Sequence, residues 1–266
     1  MTRPRWGRVV ACLFLLWRVG GSDPVRAADP GVRRVSVAAA SDLKFAMDEL
    51  VGAFGRTHPG IEVAMTYGSS GTFFSQISNG APFDLFFSAD VDYPRRLAEA
   101  GLGPKDGVFL YAVGRIVVWV PAASRIDVAR GIEVLASPDV RTIAIANPRH
   151  APYGRAAEAA LRAAGVYEAV KGKLVLGENI AQTAQFVQSG AADAGIIALA
   201  LALAPALAKG GRYFEVPLET YPRIEQGGLV LGRAREPEAA RALRDFVVGP
   251  DGRATLKRYG FLLPGE

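Results

Sequence analysis

The chain has 266 residues, half of them hydrophobic, and 31 Lys+Arg against 26 Asp+Glu give it a formal charge of +5. Five of the basic residues and one acidic residue fall within positions 1–27, so the remainder carries 26 basic and 25 acidic residues, a formal +1. That balance argues against the basic face that nucleic acid or an anionic membrane surface recruits. The single cysteine, Cys12, lies in the same leading segment, which excludes a disulfide framework, a thiolate metal site and a cysteine nucleophile from the rest.

The leading segment reads as a secretory signal. Arg3, Arg5 and Arg8 precede an apolar run from Val9 to Trp17, and Val25-Arg26-Ala27 before Ala28 forms a small-residue cleavage site. The run is far shorter than the roughly 20 residues that span a bilayer, so export and release near Ala27 are expected, with a periplasmic location. Val-Val-Ala-Cys at 9–12 superficially matches a lipoprotein box, but most of the apolar run follows Cys12 instead of preceding it.

Beyond the leader, strand and helix patterns alternate. Arg34–Ala40 is a short apolar strand, and Leu43–Arg56 places Leu43, Met47, Leu50, Val51 and Phe54 at helical spacing. Ile61–Tyr67 alternates as a second strand, Thr72–Asn79 is helical and closed by Gly80, and Leu85-Phe86-Phe87 is a buried strand. From Gly114 the pattern restarts, with strands at Ile116–Val120 and Thr142–Ala146, a helix at Arg155–Ala164, a strand at Lys173–Leu176 and a helix at Ala181–Ser189. A strand at Ala194–Leu199 follows, and Pro205 interrupts the Ala/Leu-rich stretch 200–207. Gly228–Gly232 and Pro237–Val248 read as a last strand and a final amphipathic helix. This alternation predicts an α/β protein with mainly parallel sheets flanked by helices. One lobe is expected from 33–119 plus 223–266 and a second from 120–222, with no internal repeat.

Four segments stand where a strand or loop hands over to a helix: Ala38-Ala39-Ala40-Ser41, Gly68-Ser69-Ser70-Gly71, Ala151-Pro152-Tyr153-Gly154 and Glu178-Asn179-Ile180. The unpaired N–H groups of a first helical turn favour negative charge without any lysine or arginine. Sheets of this kind bind ligands beyond the carboxyl ends of their strands, so the pattern points to an oxyanion receptor. Each motif also has a plainer reading: Ser41 as a helix cap, Gly68–Gly71 as a tight turn, Asp84 and Asp90 as turn and cap residues, Arg149 and His150 as a rim.

The run Ala38–Leu43, the Gly-Ser-Ser-Gly at 68–71, Gly80-Ala-Pro-Phe-Asp-Leu-Phe-Phe-Ser-Ala-Asp90 and Lys257-Arg258-Tyr259-Gly260-Phe261 together resemble the periplasmic molybdate-binding proteins of ABC transporters. The likeness covers roughly 34–261. It implies a two-lobed type II periplasmic binding protein fold with a ligand cleft between lobes, and molybdate or tungstate delivered to a permease. It also implies that Ser41 and Ser70 each give a hydroxyl and an N–H, while Tyr153 and Ile180 give backbone N–H groups. All of these contact oxygen atoms of the anion and none ligates the central metal. A tyrosine ligand of the family falls on Ala198 here, which leaves a donor to be supplied by water, Tyr153 or Ser69. No cofactor is implied.

An enzyme fits less well. His58 and His150 are the only histidines, no Gly-x-Ser-x-Gly elbow or P-loop is present, and a secreted serine-dependent hydrolase is the distant alternative. Nearer alternatives are receptors for sulfate, thiosulfate or phosphonate. A monomer is expected.

Overall fold

The computed structural model describes Thr2 and residues 31–266. The expected leader and its cleavage site near Ala27 otherwise lie outside the described residues. Ten strands build two sheets among the described residues: β1 (Arg33–Ala40), β2 (Ile61–Gly68), β3 (Leu85–Ser88), β4 (Phe109–Gly114), β5 (Ile116–Pro121), β6 (Ile143–Ala146), β7 (Leu174–Gly177), β8 (Ala194–Ala198), β9 (Gly211–Glu215) and β10 (Ile224–Val230). The helices are α1 (Lys44–Thr57), entered through a 3-10 turn at Ser41–Leu43, then α2 (Ser70–Ser78), α3 (Asp92–Glu99), α4 (Pro152–Ala163), α5 (Tyr167–Val170), α6 (Ile180–Gln188), α7 (Leu199–Ala202), α8 (Pro205–Ala208), α9 (Pro237–Val248) and α10 (Pro250–Arg258).

The first sheet runs β2-β1-β3-β10-β4 and the second β7-β6-β8-β5-β9. In each, three strands pair in parallel and the fourth, β10 or β5, runs against all the others. Mainly parallel sheets flanked by helices in two lobes are therefore what the chain forms. The sheets share one topology although no repeat is visible in the sequence.

Ile116–Trp119 had been expected in the first lobe. Instead β5 pairs with β8 and β9, so the chain crosses between sheets at Arg115. The reason is burial: Ile116 to Val120 are all at most 1% exposed, which requires a central position with both faces covered. The return crossing lies between β9 and β10. Five elements had no expected counterpart, namely α3, β4, α5, β9 and α10. The two long helices among them carry a thin apolar signal: α3 buries only Pro94, Leu97 and Ala98, and α10 only Gly252, Thr255 and Leu256. Pro237–Val248 is thus not the last helix. Helix α4 starts three residues before the expected Arg155, because Pro152 suits a first helical position.

Leu43, Met47, Leu50, Phe54, Leu243 and Leu256 pack one face of the first sheet, while Phe73, Ile77, Phe86, Leu97 and Leu229 pack the other. Trp119, Ile145, Leu161, Val187 and Ile196 anchor the second core. Each such side chain contributes roughly 1.5–3 kcal/mol by leaving water. Strand register sets the working edge. Ala40 pairs with Gly68 and Ala146 with Gly177, so neighbouring parallel strands end level and release their chains to helices at one height.

Candidate functional site

Where those level ends face each other, one small cavity brings together Ser41, Ser69 and Ser70 from the first sheet and Tyr153 and Ile180 from the second. None of the residues lining it is charged. Its free space is about that of one water, ≈ 10 Å³ for the centre of a water-sized sphere. Among the described residues, no cluster of three or more His, Cys, Asp or Glu is placed to hold a metal ion.

Each residue reaches the cavity for a local reason. Pro152 opens α4 and has no N–H, so Tyr153 carries the first N–H of that helix, and Gly154 N–H is taken by Ala151 O at 3.0 Å. Asn179 caps α6: its Oδ1 accepts from Ala181 N and Gln182 N, both at 3.0 Å, and the cap leaves Ile180 N–H at the first position outside it. Ser70 sits at the first position of α2, and its Oγ accepts from Ala89 N at 2.9 Å, which keeps the hydroxyl hydrogen for another acceptor.

Ser41 does not act as a cap. It makes no side-chain cap bond to the 3-10 turn or to α1; its hydroxyl instead crosses the cleft, donating to Asn179 Oδ1 at 3.1 Å and accepting from Ala181 N at 3.2 Å. Ser69 also works across the cleft. Its hydroxyl donates to His150 O at 2.5 Å, and Gly71 N donates to the same carbonyl at 2.9 Å. The Ser69 hydroxyl hydrogen is thus committed to His150, which corrects its expected role as a spare donor. Gly71 is needed for this approach: a Cβ there would lie 2.7 Å from His150 O and 2.8 Å from Tyr93 Oη.

The Tyr153 phenol is likewise not a spare donor. It is buried, donating to Asp42 Oδ2 at 2.9 Å and accepting from Gln226 Nε2 at 2.9 Å, while Gln226 Nε2 also donates to Asp42 Oδ2 at 2.7 Å. Asp42 belongs to the turn after β1, Tyr153 to α4 and Gln226 to β10, so three elements from both sheets meet there. Burial pushes the Asp42 carboxyl up to about 6, offset in part by the Gln226 and Tyr153 hydrogen bonds and the nearby N–H groups of its own turn. Burial, with Asp42 nearby, pushes the Tyr153 phenol well above its ordinary value. Asp42 and Gln226 were missed from sequence, since a lone Asp after Ser and a Gln in an apolar strand carry no spacing signal.

Asp84 behaves as a turn residue, accepting from Ser36 N at 2.7 Å and Arg235 N at 2.6 Å. Asp90 does more than expected. It accepts from Asp92 N at 3.0 Å, and its other oxygen pairs with Arg155 of α4, whose guanidinium also reaches Tyr93 Oη at 3.3 Å. His150 is half-buried between Ser69, 3.1 Å from its Nδ1, and Glu178, 3.6 Å from its Nε2. Ala198 ends β8 opposite Ile116, fully buried, and offers no polar group of its own side chain.

The family model described as bacterial extracellular solute-binding protein matches residues 35–262. The molybdate-binding protein ModA of Azotobacter vinelandii is 37% identical over 227 residues, 85% of this chain and 89% of that protein. ModA of Rhodobacter capsulatus is 34% identical over 212 residues, covering 80% and 82%. The solved structure of the Azotobacter vinelandii periplasmic molybdate-binding protein superposes with a TM-score of 0.81 at 32% identity, over 86% of this chain and 99% of that one.

Proposed function

Because this chain belongs to the bacterial extracellular solute-binding proteins, we propose that it is a receptor that captures molybdate between its lobes and delivers it to an ABC transporter permease. The observation that supports this most directly is the uncharged cavity, met by the starts of α2, α4 and α6 and by the turn leading into α1. Relatives named for molybdate supply the anion.

The chemistry follows from the donors. A tetrahedral dianion presents four acceptor oxygens. Ser41 and Ser70 offer rotating hydroxyls and main-chain N–H groups, and Tyr153 and Ile180 offer N–H groups at helix starts, where the positive end of the helix dipole adds attraction. Hydrogen bonds to a charged acceptor contribute roughly 1.5–3 kcal/mol each. Six of them, less the costs of association and closure, suffice for about −8 kcal/mol, micromolar binding. Binding requires Ser41 to turn from Asn179 and Ala181 toward the anion, with the lobes adjusting around it. The lobes close because each holds only part of the donor set.

Export through residues 1–27, action as a monomer and acceptance of tungstate complete the proposal. A receptor for sulfate, thiosulfate or phosphonate shares this donor logic but needs a different oxygen-to-oxygen span. Calorimetric titration of the purified protein with molybdate, tungstate, sulfate and phosphate tests the reading. Micromolar or tighter molybdate binding, with sulfate and phosphate at least tenfold weaker, is expected. Equal or stronger binding of sulfate removes the molybdate assignment, and no binding of any oxyanion removes the receptor reading.

A further inference from the structure

We propose that Asp42 enters the closed, anion-holding state as the neutral acid, so that capture of each dianion takes up one proton from solvent. This rests on reading the cavity as an oxyanion site. The argument starts from a hydrogen-bond imbalance. Asp42 Oδ2 receives both the Tyr153 hydroxyl and Gln226 Nε2, whereas Asp42 Oδ1 and Gln226 Oε1 are buried and have no partner among the described residues. Both orphans are acceptors on side chains already bonded to each other. With the carboxyl ionised, neither can serve the other, and two desolvated acceptors stay unpaired. A hydrogen on Oδ1 turns one of them from an acceptor into a donor and removes the charge that burial opposes.

No cation near Asp42 compensates a carboxylate charge; the Gln226 and Tyr153 hydrogen bonds and the N–H groups of its own turn offset it only in part. The helices packed against its turn, α6 and α7, contain no titratable side chain. From α4 the group facing it is Tyr153, while Arg155 pairs with Asp90 and Glu158 with Arg162. From β10 it is Gln226, with Glu225 turned to Arg223 at 3.6 Å. Tyr111 of β4 stands near and donates its hydroxyl to Ser88 O at 3.0 Å, and Tyr221, behind Tyr153, accepts from Ile116 N at 3.3 Å. On α1, Lys44 pairs with Asp48 at the surface. An ionised Asp42, adjacent in sequence to Ser41, therefore adds a negative charge beside an incoming dianion with no cation between them. The raised carboxyl of the closed form, about 6, agrees with the geometry, and a neighbouring dianion raises it further.

Asp42 is accordingly a positioning residue: it ties the Ser41 turn to Tyr153, next to the cavity. The test is calorimetry with micromolar molybdate between pH 6.5 and 8, in paired buffers of different ionisation enthalpy, on the wild type, Asp42→Asn and His150→Gln. For the wild type, uptake of close to one proton per anion and a dissociation constant rising toward about tenfold per pH unit are expected. Asp42→Asn keeps an uncharged side chain of the same shape and is expected to give pH-independent binding without proton uptake; His150→Gln keeps the wild-type slope. PH-independent wild-type binding without proton uptake overturns the proposal, even if Asp42→Asn does not fold. So does a slope that survives in Asp42→Asn or vanishes in His150→Gln. Absence of binding of molybdate, tungstate, sulfate and phosphate alike at every pH overturns the oxyanion reading and this proposal with it, whereas binding without proton linkage overturns this proposal alone.

Discussion

Asp42 also makes a prediction for the protein without any anion. Its carboxyl moves from 3.8 to about 6 on folding, chiefly because burial opposes the charge. A group raised in the folded state contributes stability that is fully present below its unfolded value and lost as pH climbs through its folded value. The window therefore runs from about pH 4 to pH 6, and above it the ionised Asp42 costs the fold a constant amount. At about 1.4 kcal/mol per unit, a rise of roughly two units amounts to about 3 kcal/mol. The group is fully buried, so solvent screening does not reduce this. Asp42→Asn removes the titration and retains the shape. Relative to wild type, its stability is expected to gain about 3 kcal/mol between pH 4 and pH 8, or about 6–12 °C in melting temperature for a chain of this size. Denaturant unfolding at both pH values reads the difference, and taking it between pH values cancels any constant effect of the new amide. An unchanged difference, or a variant that loses ground at pH 8, refutes the claim that Asp42 is buried without a compensating cation.

Ser41→Ala and Ser70→Ala are each expected to weaken molybdate binding by about 1.5–3 kcal/mol, roughly 10- to 150-fold, measured by calorimetry. They differ in stability: Ser70→Ala leaves the Ala89 N–H unpaired and lowers unfolding free energy by about 1–3 kcal/mol, whereas Ser41→Ala breaks only the tie to Asn179 and Ala181. Gly71→Ala places a Cβ against His150 O and Tyr93 Oη and holds the lobes apart. Weaker binding and a larger radius of gyration at saturating molybdate are expected from small-angle scattering, and a wild-type radius with wild-type affinity counts against that contact. Arg155→Ala removes pairing to Asp90 and Tyr93 that is 42% and 26% exposed on its charged partners. A loss of no more than about 1 kcal/mol in affinity is expected, read mainly as faster release in stopped-flow dissociation.

Much of this was legible in the sequence, for identifiable reasons. Strands such as Leu85–Ser88 and Ile143–Ala146 are buried on both faces and read as apolar runs, and Ser41, Ser69, Ser70, Tyr153 and Ile180 stand at strand-to-helix handovers that parallel registers bring level. Pairings across the cleft left no such trace. Asp42 and Gln226 are 184 positions apart, and Asp90 and Arg155 are 65 apart, so nothing local marks either pair. The plain cap reading of Ser41 failed because its hydroxyl finds a better partner on the facing lobe than on its own helix. The boundary at Trp119 was misplaced because β4 and β5 form one nearly continuous apolar stretch in which only Arg115 marks the crossing.

The two crossings bear directly on the proposed link between closure and anion capture. Each delivers the one strand that runs against the rest of its sheet: β4 passes through Arg115 into β5, and β9 passes into β10. Arg115 donates from Nε to Gly260 O at 2.9 Å on the first-sheet side and pairs with Glu215 of β9 at 3.0 Å on the second, so it holds both lobes at the crossing itself. Gln226 lies on the strand that completes the return, at the β-bulge between Gln226 and Gly227, and its amide reaches Asp42 and Tyr153 together. The same strand that carries the chain back to the first lobe thus carries the side chain that joins the Ser41 turn to the start of α4. A movement of the lobes about the crossings has to stretch the Tyr153 contacts to Asp42 and Gln226 as well as the Ser41 ties to Asn179 and Ala181. The polar cluster beneath the cavity, not the cavity wall alone, therefore ties the two lobes together beside the donors.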